Sequence, residues 1–195
     1  MNGAPSQAPS PQPILYWLTL RRLPGAGFRT QLDLLEHFES IENIFSASRG
    51  LLEKALVGKH AAINAILAGP DEQALRPEVD WLNEPGHHLV TWADVDYPRL
   101  LREIPDPPVM LHVIGDRRLL STPQLAIVGS RNPSPMGQEN ARAFAKSLAG
   151  AGLVITSGMA LGVDGAAHRG ALEAGGKTIA VAGTGLDRVY PSRHR

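Results

Sequence analysis

Two short turns in the last third of the chain carry the residue types that handle anions. The first is Gly129-Ser130-Arg131 and the second is Ser157-Gly158-Met159-Ala160-Leu161-Gly162-Val163-Asp164. Each follows an apolar run and precedes a stretch of helical pattern. Free backbone N–H groups in a glycine turn, with the positive end of the next helix dipole, attract negative charge. Ser130 adds a hydroxyl donor and Arg131 a bidentate guanidinium fork. Two adjacent sites of this kind suit a polyphosphate, a dinucleotide or successive phosphates of a nucleic-acid strand.

The nucleotide fingerprints do not fit. A dinucleotide turn needs G-x-G-x-x-G directly after a strand, but the first turn reads G-S-R-N-P-S-P-M-G. The later Gly183-Thr184-Gly185-Leu186-Asp187-Arg188 puts arginine in place of the third glycine. Ser134 stands five residues after Gly129, where a Walker loop has its second glycine. No cofactor is expected. Asp164 and His168 are i and i+4 on one helix face, which raises a metal or acid/base pair. With no third ligand or paired carboxylate nearby, the favoured reading is structural: Asp164 caps the helix and bonds the turn, and His168 packs or donates to a neighbouring loop. His87-His88 and Asp94/Asp96 read as strand-edge and turn residues.

The elements that position these turns are legible as patterns. Leu125-Ala126-Ile127-Val128 is continuously apolar, as for a strand inside a parallel sheet. From there the order is strand 125–128, helix 136–150, strand 153–156, helix 163–174 and strand 178–182. This βαβαβ succession predicts a Rossmann-like parallel sheet with right-handed crossovers. Upstream, residues 1–13 hold four prolines and read as a disordered tail. Residues 14–75 read as a small all-α domain, since apolar residues recur at helical spacing to about Ala68. Within it, Leu23-Pro24-Gly25-Ala26-Gly27 fits a helix-hairpin-helix turn near a DNA phosphate, or equally a close helix–helix turn. Pro70–Gly86 reads as a helix and linker, and His87–Trp92 and Val109–Ile114 as strands, so the second domain is expected over residues 76–195.

Composition sets the class. The chain has 195 residues, 43% of them hydrophobic, and no cysteine, which excludes disulfides and thiolate metal sites. It shows no long apolar run and no charged-then-apolar leader, so the default is a cytoplasmic protein without a membrane partner. Net charge is zero, but residues 1–120 hold 11 Lys/Arg against 15 Asp/Glu and residues 121–195 hold 8 against 4. The glycine-rich part is the basic one, as an anionic ligand would favour.

Taken together, the two turns, Ala167-His168-Arg169-Gly170-Ala171-Leu172, Gly176-Lys177-Thr178-Ile179-Ala180-Val181, Gly183-Thr184-Gly185-Leu186-Asp187 and Tyr190-Pro191 resemble successive signatures of the DprA/Smf family. Tyr97-Pro98, Leu100 and Asp106-Pro107-Pro108 resemble the segment before that family's Rossmann core. Residues 14–70 resemble its sterile-alpha-motif-like domain. The resemblance implies a cytoplasmic single-stranded-DNA-binding protein of natural transformation that protects incoming DNA and loads a RecA-type recombinase, usually as a homodimer. It implies binding without catalysis. On this reading Arg131 clamps a phosphate, and Ser130 with the Ser157-Gly158 backbone donates to the same or the next one. Gly129 forms the turn and Gly162 lets the strand approach. Lys177, Arg188 and Arg193 add field and contact, while Asp164 and His168 hold the second loop in shape.

Two departures stand out. His194 occupies a place where the family often has asparagine, and the family's Rossmann domain continues beyond the point where this chain stops. The sheet is therefore expected to be incomplete at its C-terminus, with dimerisation open. The rival reading is an enzyme like the lysine-decarboxylase-like phosphoribohydrolases, which cleave nucleotide glycosidic bonds. Their P-G-G-x-G-T loop and its glutamate are missing, since the chain has Ala182-Gly183-Thr184-Gly185. A protein-interaction module is a third reading.

Overall fold

The computed structural model describes residues 11–187. The chain divides into two compact units, Met1–Gly115 and Asp116–Arg195. In the first, six helices follow one another: α1 (Pro11–Arg21), α2 (Phe28–Phe38), α3 (Ile41–Ser46), α4 (Arg49–Ala55), α5 (His60–Ala68) and α6 (Glu72–Leu82). α1 starts three residues before the expected Ile14. The first turn of a helix uses no donated N–H, so Pro11 and Pro13 are tolerated there. Residues 1–10 of the expected tail lie outside the described residues.

One apolar core serves this unit, with Leu18, Leu20, Leu34, Ile44, Leu52, Ile63 and Ile66 fully buried. Val109 and Met110 belong to the same core. That is why β1 (His87–Thr91) and β2 (Met110–Ile114) fall within the first unit, as an antiparallel pair with His87 opposite Ile114 and Thr91 opposite Met110. A clamp closes the connection between them. The Tyr97 hydroxyl donates to Pro108 O at 2.5 Å, and the Arg102 guanidinium stacks 4.3 Å from the Trp92 ring centre while donating to Trp92 O at 2.7 Å. Burial pushes the Tyr97 hydroxyl up to about 12, against the pull of Arg102, so it remains a donor at physiological pH. The glycine turn before α2 is also tied from within: Gln31 Nε2 donates to Ala26 O and Lys59 Nζ to Gly25 O, both at 2.8 Å.

The second unit has β3 (Gln124–Ala126), α7 (Pro135–Gly150), β4 (Val154–Gly158), α8 (Val163–Glu173) and β5 (Thr178–Val181). The three strands are parallel, in the order β3-β4-β5, with Leu125 beside Ile155 and Ile155 beside Thr178. Two successive crossovers in one direction put α7 and α8 on the same face. There they pack through Ala145, Ala149, Ala167 and Ala171 over Ile155, and Gly170 leaves no room for a side chain against the Arg142 carbonyl. Small residues at this seam bring the two helix backbones close together.

The fold class is thus mixed α/β, with a helical part followed along the chain by a parallel sheet. One expectation fails. Leu125 is 41% exposed and Val128, beyond the end of β3, 70%, while Ile127 packs on the core, so among the described residues the apolar run is only partly covered. Among the described residues β3 pairs with β4 alone and has one free edge.

Candidate phosphate-binding site

Parallel strands carry both turns out at the carboxyl edge of the sheet, the usual location of ligand sites in open α/β folds. β3 ends at Ala126, and its ladder reaches one residue further through Ile127 N–H donating to Thr156 O at 3.0 Å. Gly129, Ser130 and Arg131 then stand exposed. After β4 ends at Gly158, the second turn leads to the N-cap of α8 at Gly162.

The turns nest against each other, and their glycines make this possible. Val163 N–H donates to Ser130 O at 3.1 Å. Gly162 has φ +85° and ψ −126°, a combination open in practice to glycine alone. A Cβ at Gly162 would run into Ser130 O and lie 2.7 Å from Arg131 O. The room that Gly162 leaves is therefore filled by the first turn. A Cβ at Gly129 would stand 2.9 Å from Val163 Cγ2, and one at Gly158 would stand 2.6 Å from Asp164 Oδ2.

Polar side chains inside the second turn serve its shape. Ser157 is 2% exposed, and its hydroxyl donates to Ile127 O at 2.6 Å, joining the roots of the two turns. That hydroxyl is spent within the protein, and Ser157 and Gly158 pair with β5, so the donors this turn leaves for a ligand lie beyond β4. Asp164, 7% exposed, accepts from Ala160 N–H at 3.3 Å. His168 lies between Gly158 O, 2.8 Å from Nε2, and Thr178 Oγ1, 2.7 Å from Nδ1. The sequence marks Ile127 and Thr178 only as strand residues, because these bonds depend on which strands become neighbours.

Donors remain on the outer side. The N–H groups of Gly129, Ser130 and Arg131, and those of Met159, Leu161 and Gly162, meet no acceptor among the described residues. Ser130 Oγ accepts from Asn132 N–H at 3.0 Å, which leaves its own proton free to donate outward. The Arg131 guanidinium has no partner among the described residues. The α7 dipole contributes less directly: α7 begins four residues after Arg131, and its first turn is capped by Ser134, which accepts from Gly137 N–H at 3.1 Å.

Lys177 is elsewhere. It precedes Thr178 at the amino end of β5, one strand length, roughly 13 Å, from the edge that carries the turns. There it faces Asp116, whose carboxyl is held at about 2 chiefly by hydrogen bonds from Arg118, with Lys177 adding charge. Arg188 and Arg193 lie outside the described residues, as do Tyr190-Pro191 and His194. Among the described residues, no three His, Asp or Glu side chains are grouped to hold a metal, and no helix is long and apolar enough to cross a membrane.

The sequence from His88 to Arg195 matches the model of the DNA recombination-mediator protein A family. The chain belongs to that family. The Smf protein of Synechocystis is 35% identical over 184 residues, which is 92% of this chain and 46% of that protein. The DNA processing protein DprA of Streptococcus pneumoniae is 48% identical over 99 residues, 51% of this chain and 35% of that one. The X-ray structure of S. pneumoniae DprA superposes with a TM-score of 0.77 at 32% identity, covering 93% of this chain and 62% of that chain. The DprA/Smf resemblance and the α/β fold are thereby confirmed. The chain spans about half the length, or less, of these curated relatives.

Proposed function

We propose that this DprA/Smf chain binds single-stranded DNA through its phosphates at the carboxyl edge of the β3–β5 sheet. In the whole protein this serves the uptake of DNA in natural transformation: a cytoplasmic homodimer holds and protects the incoming strand and passes it to a RecA-type recombinase. One observation carries the reading: two nested turns leave six backbone donors and the Arg131 guanidinium without acceptors on one edge. The family's name as a recombination mediator points to the same class of ligand. The second unit is basic, with 10 Lys/Arg against 5 Asp/Glu over residues 116–195.

A single strand suits this edge better than a duplex does. Its flexible backbone can bend successive phosphates into two closely spaced concave turns, and its unpaired bases can rest on exposed Val128 and Leu161. The side chains that could do acid–base or nucleophilic work, Ser157, Asp164 and His168, are engaged in holding the turns. The site is therefore read as one for binding, without a reaction step.

The test is a salt-dependent binding isotherm with single- and double-stranded DNA. Single strands should bind more tightly. Arg131→Ala should weaken binding to all sequences alike, by about 1.5–3 kcal/mol, and reduce the salt slope by about one. Equal affinity of parent and variant across the salt range would refute the assignment.

A further inference from the structure

We propose that an acidic, tryptophan-lined cavity in the first unit is a docking site for an arginine side chain carried by a partner protein. The proposal goes beyond DNA binding and does not rest on it. The cavity measures about 250 Å3. Trp17 of α1 and Trp92, the residue after β1, supply its aromatic lining, with Leu35 and Ile41 beside them. Trp17, Leu35 and Ile41 are buried members of the core, so this part of the wall is fixed by packing. Glu36, Glu39 and Glu42 also line the cavity, and all three are exposed, which puts them at its mouth.

Local rules are broken at this mouth, and nothing within the described chain compensates. Glu39 is the one non-glycine residue with positive φ among the described residues, at +66°. It closes α2, a place that usually falls to glycine. Glu36, in the last turn of α2, and Glu39 both sit at the negative end of the helix dipole, where a cation is favoured. Only Glu42, in the first turn of α3, suits its own helix. None of the three carboxylates has a partner among the described residues, whereas Asp33 is paired with Arg29 and Glu53 with Arg49. A strained backbone and unpaired like charges gathered at one cavity mark a place shaped for a ligand rather than for stability.

The lining selects a small, flat cation. Three carboxylates repel a phosphate strand, which turns DNA away. They are not grouped to hold a metal ion among the described residues. The volume falls below the roughly 300–1,000 Å3 of small-molecule pockets, so it suits one side chain rather than a cofactor. A guanidinium meets both kinds of wall: its face stacks on indole, and its N–H fork donates to carboxylates. Trp92 already accepts such a contact, from Arg102 at 4.3 Å from its ring centre. The whole first unit is acidic, with 9 Lys/Arg against 14 Asp/Glu over residues 1–115, and so draws a basic segment toward the cavity.

The experiment uses the full chain labelled with 15N and capped pentapeptides that carry a central arginine, lysine or citrulline between glycines. Indole N–H signals of Trp17 and Trp92 report on the cavity, and that of Trp81, which does not line it, is the control. The arginine peptide should shift Trp17 and Trp92 saturably and the lysine peptide more weakly. Citrulline, which keeps the shape and loses the charge, should leave both unmoved. Glu39→Gln should weaken the arginine peptide about tenfold, the effect of one lost charge-assisted contact. Glu39→Gly should weaken it as much and yet raise the melting temperature of the first unit, since glycine takes a positive φ without strain. Citrulline binding as tightly as arginine, shifts equal in all three tryptophans, or Glu39 variants that bind unchanged overturn the proposal. So do Trp17 and Trp92 signals that move with oligothymidylate or with protein concentration alone, which would give the cavity to DNA or to a second copy of the chain.

Discussion

Replacing Gly162 by alanine tests whether the two turns form one structure. Gly162 has φ +85° and ψ −126°, and the position of its missing Cβ is filled by Ser130 O and the Arg131 backbone. Forcing a side chain into that backbone region costs about 1–3 kcal/mol. The clash also drives the turns apart and breaks the Val163 N–H bond to Ser130 O, adding about 0.5–1.5 kcal/mol. Together these give roughly 2–4 kcal/mol, which for a unit of about 80 residues lowers the melting temperature by roughly 10–20 °C.

The assay separates the units by their chromophores. All three tryptophans, Trp17, Trp81 and Trp92, lie in the first unit, so their fluorescence follows that unit, while far-UV circular dichroism follows both. Gly162→Ala should lower the dichroism transition and leave the fluorescence transition close to the parent's. Gly152→Ala is the control for strain alone, since Gly152 has φ +95° but no atom within 4 Å of its absent Cβ. It should cost about 1 kcal/mol. A Gly162→Ala protein that melts no lower than Gly152→Ala would refute the nesting argument.

Three further outcomes follow from the geometry. Lys177→Ala should leave single-strand affinity within about twofold of the parent while Arg131→Ala loses tenfold or more; equal losses would return Lys177 to the site. A fragment beginning at Asp116 should keep affinity within about threefold, whereas a loss beyond about tenfold in a folded fragment would move the site to the helical unit. Cutting at residue 76 is the poorer design, because it strands Val109 and Met110 from their core.

The third outcome concerns acid stability of the first unit, read by tryptophan fluorescence in denaturant. Burial pushes the Glu78 carboxyl up, but hydrogen bonds and charge from Arg22 and Arg21 outweigh it and hold it below its usual 4.5. Burial holds the His112 imidazole below its usual 6.5, with Glu78 pulling the other way and Arg21 adding to the effect. Both native values are depressed, so the unfolded chain takes up protons first and stability falls as pH drops below about 6.5 for His112 and below about 4.5 for Glu78. Glu78→Gln should remove the lower limb and cost about 1 kcal/mol at neutral pH, a modest figure because Arg21 and Arg22 are 44% and 41% exposed. A lower limb as steep in Glu78→Gln as in the parent would refute this.

Much of the fold was written in local pattern. Helix α8 at Val163–Glu173 and strands β4 and β5 fall within two residues of their expected bounds, because periodicity and glycine punctuation are properties of neighbouring residues. The same holds for the two turns: a strand, a glycine turn and a helix in succession point to an anion at the carboxyl edge whatever the rest of the chain does. The i, i+4 spacing of Asp164 and His168 was also legible, but the groups they meet, Ala160 N–H and Gly158 O, were not.

Tertiary structure alone decided how the turns are used. Gly162 was expected to make room for a DNA strand, yet its free space receives Ser130 and Arg131, because the order β3-β4-β5 brings two turns 30 residues apart into contact. Ser157 was expected to donate to a phosphate through its backbone; strand pairing gives its hydroxyl a separate task, a bond to Ile127 O. Lys177 was grouped with the site by its charge. The direction of a parallel strand places it at the far end, since in such a sheet every residue entering a strand is a strand length from every residue leaving one. Thr178 read in the sequence only as part of a signature and a strand, and its contacts with His168 and Ile155 O exist only because β5 lies beside β4. Residue types and spacing state which chemistry is available; the pairing of strands determines which groups are consumed within the fold and which remain free for a ligand.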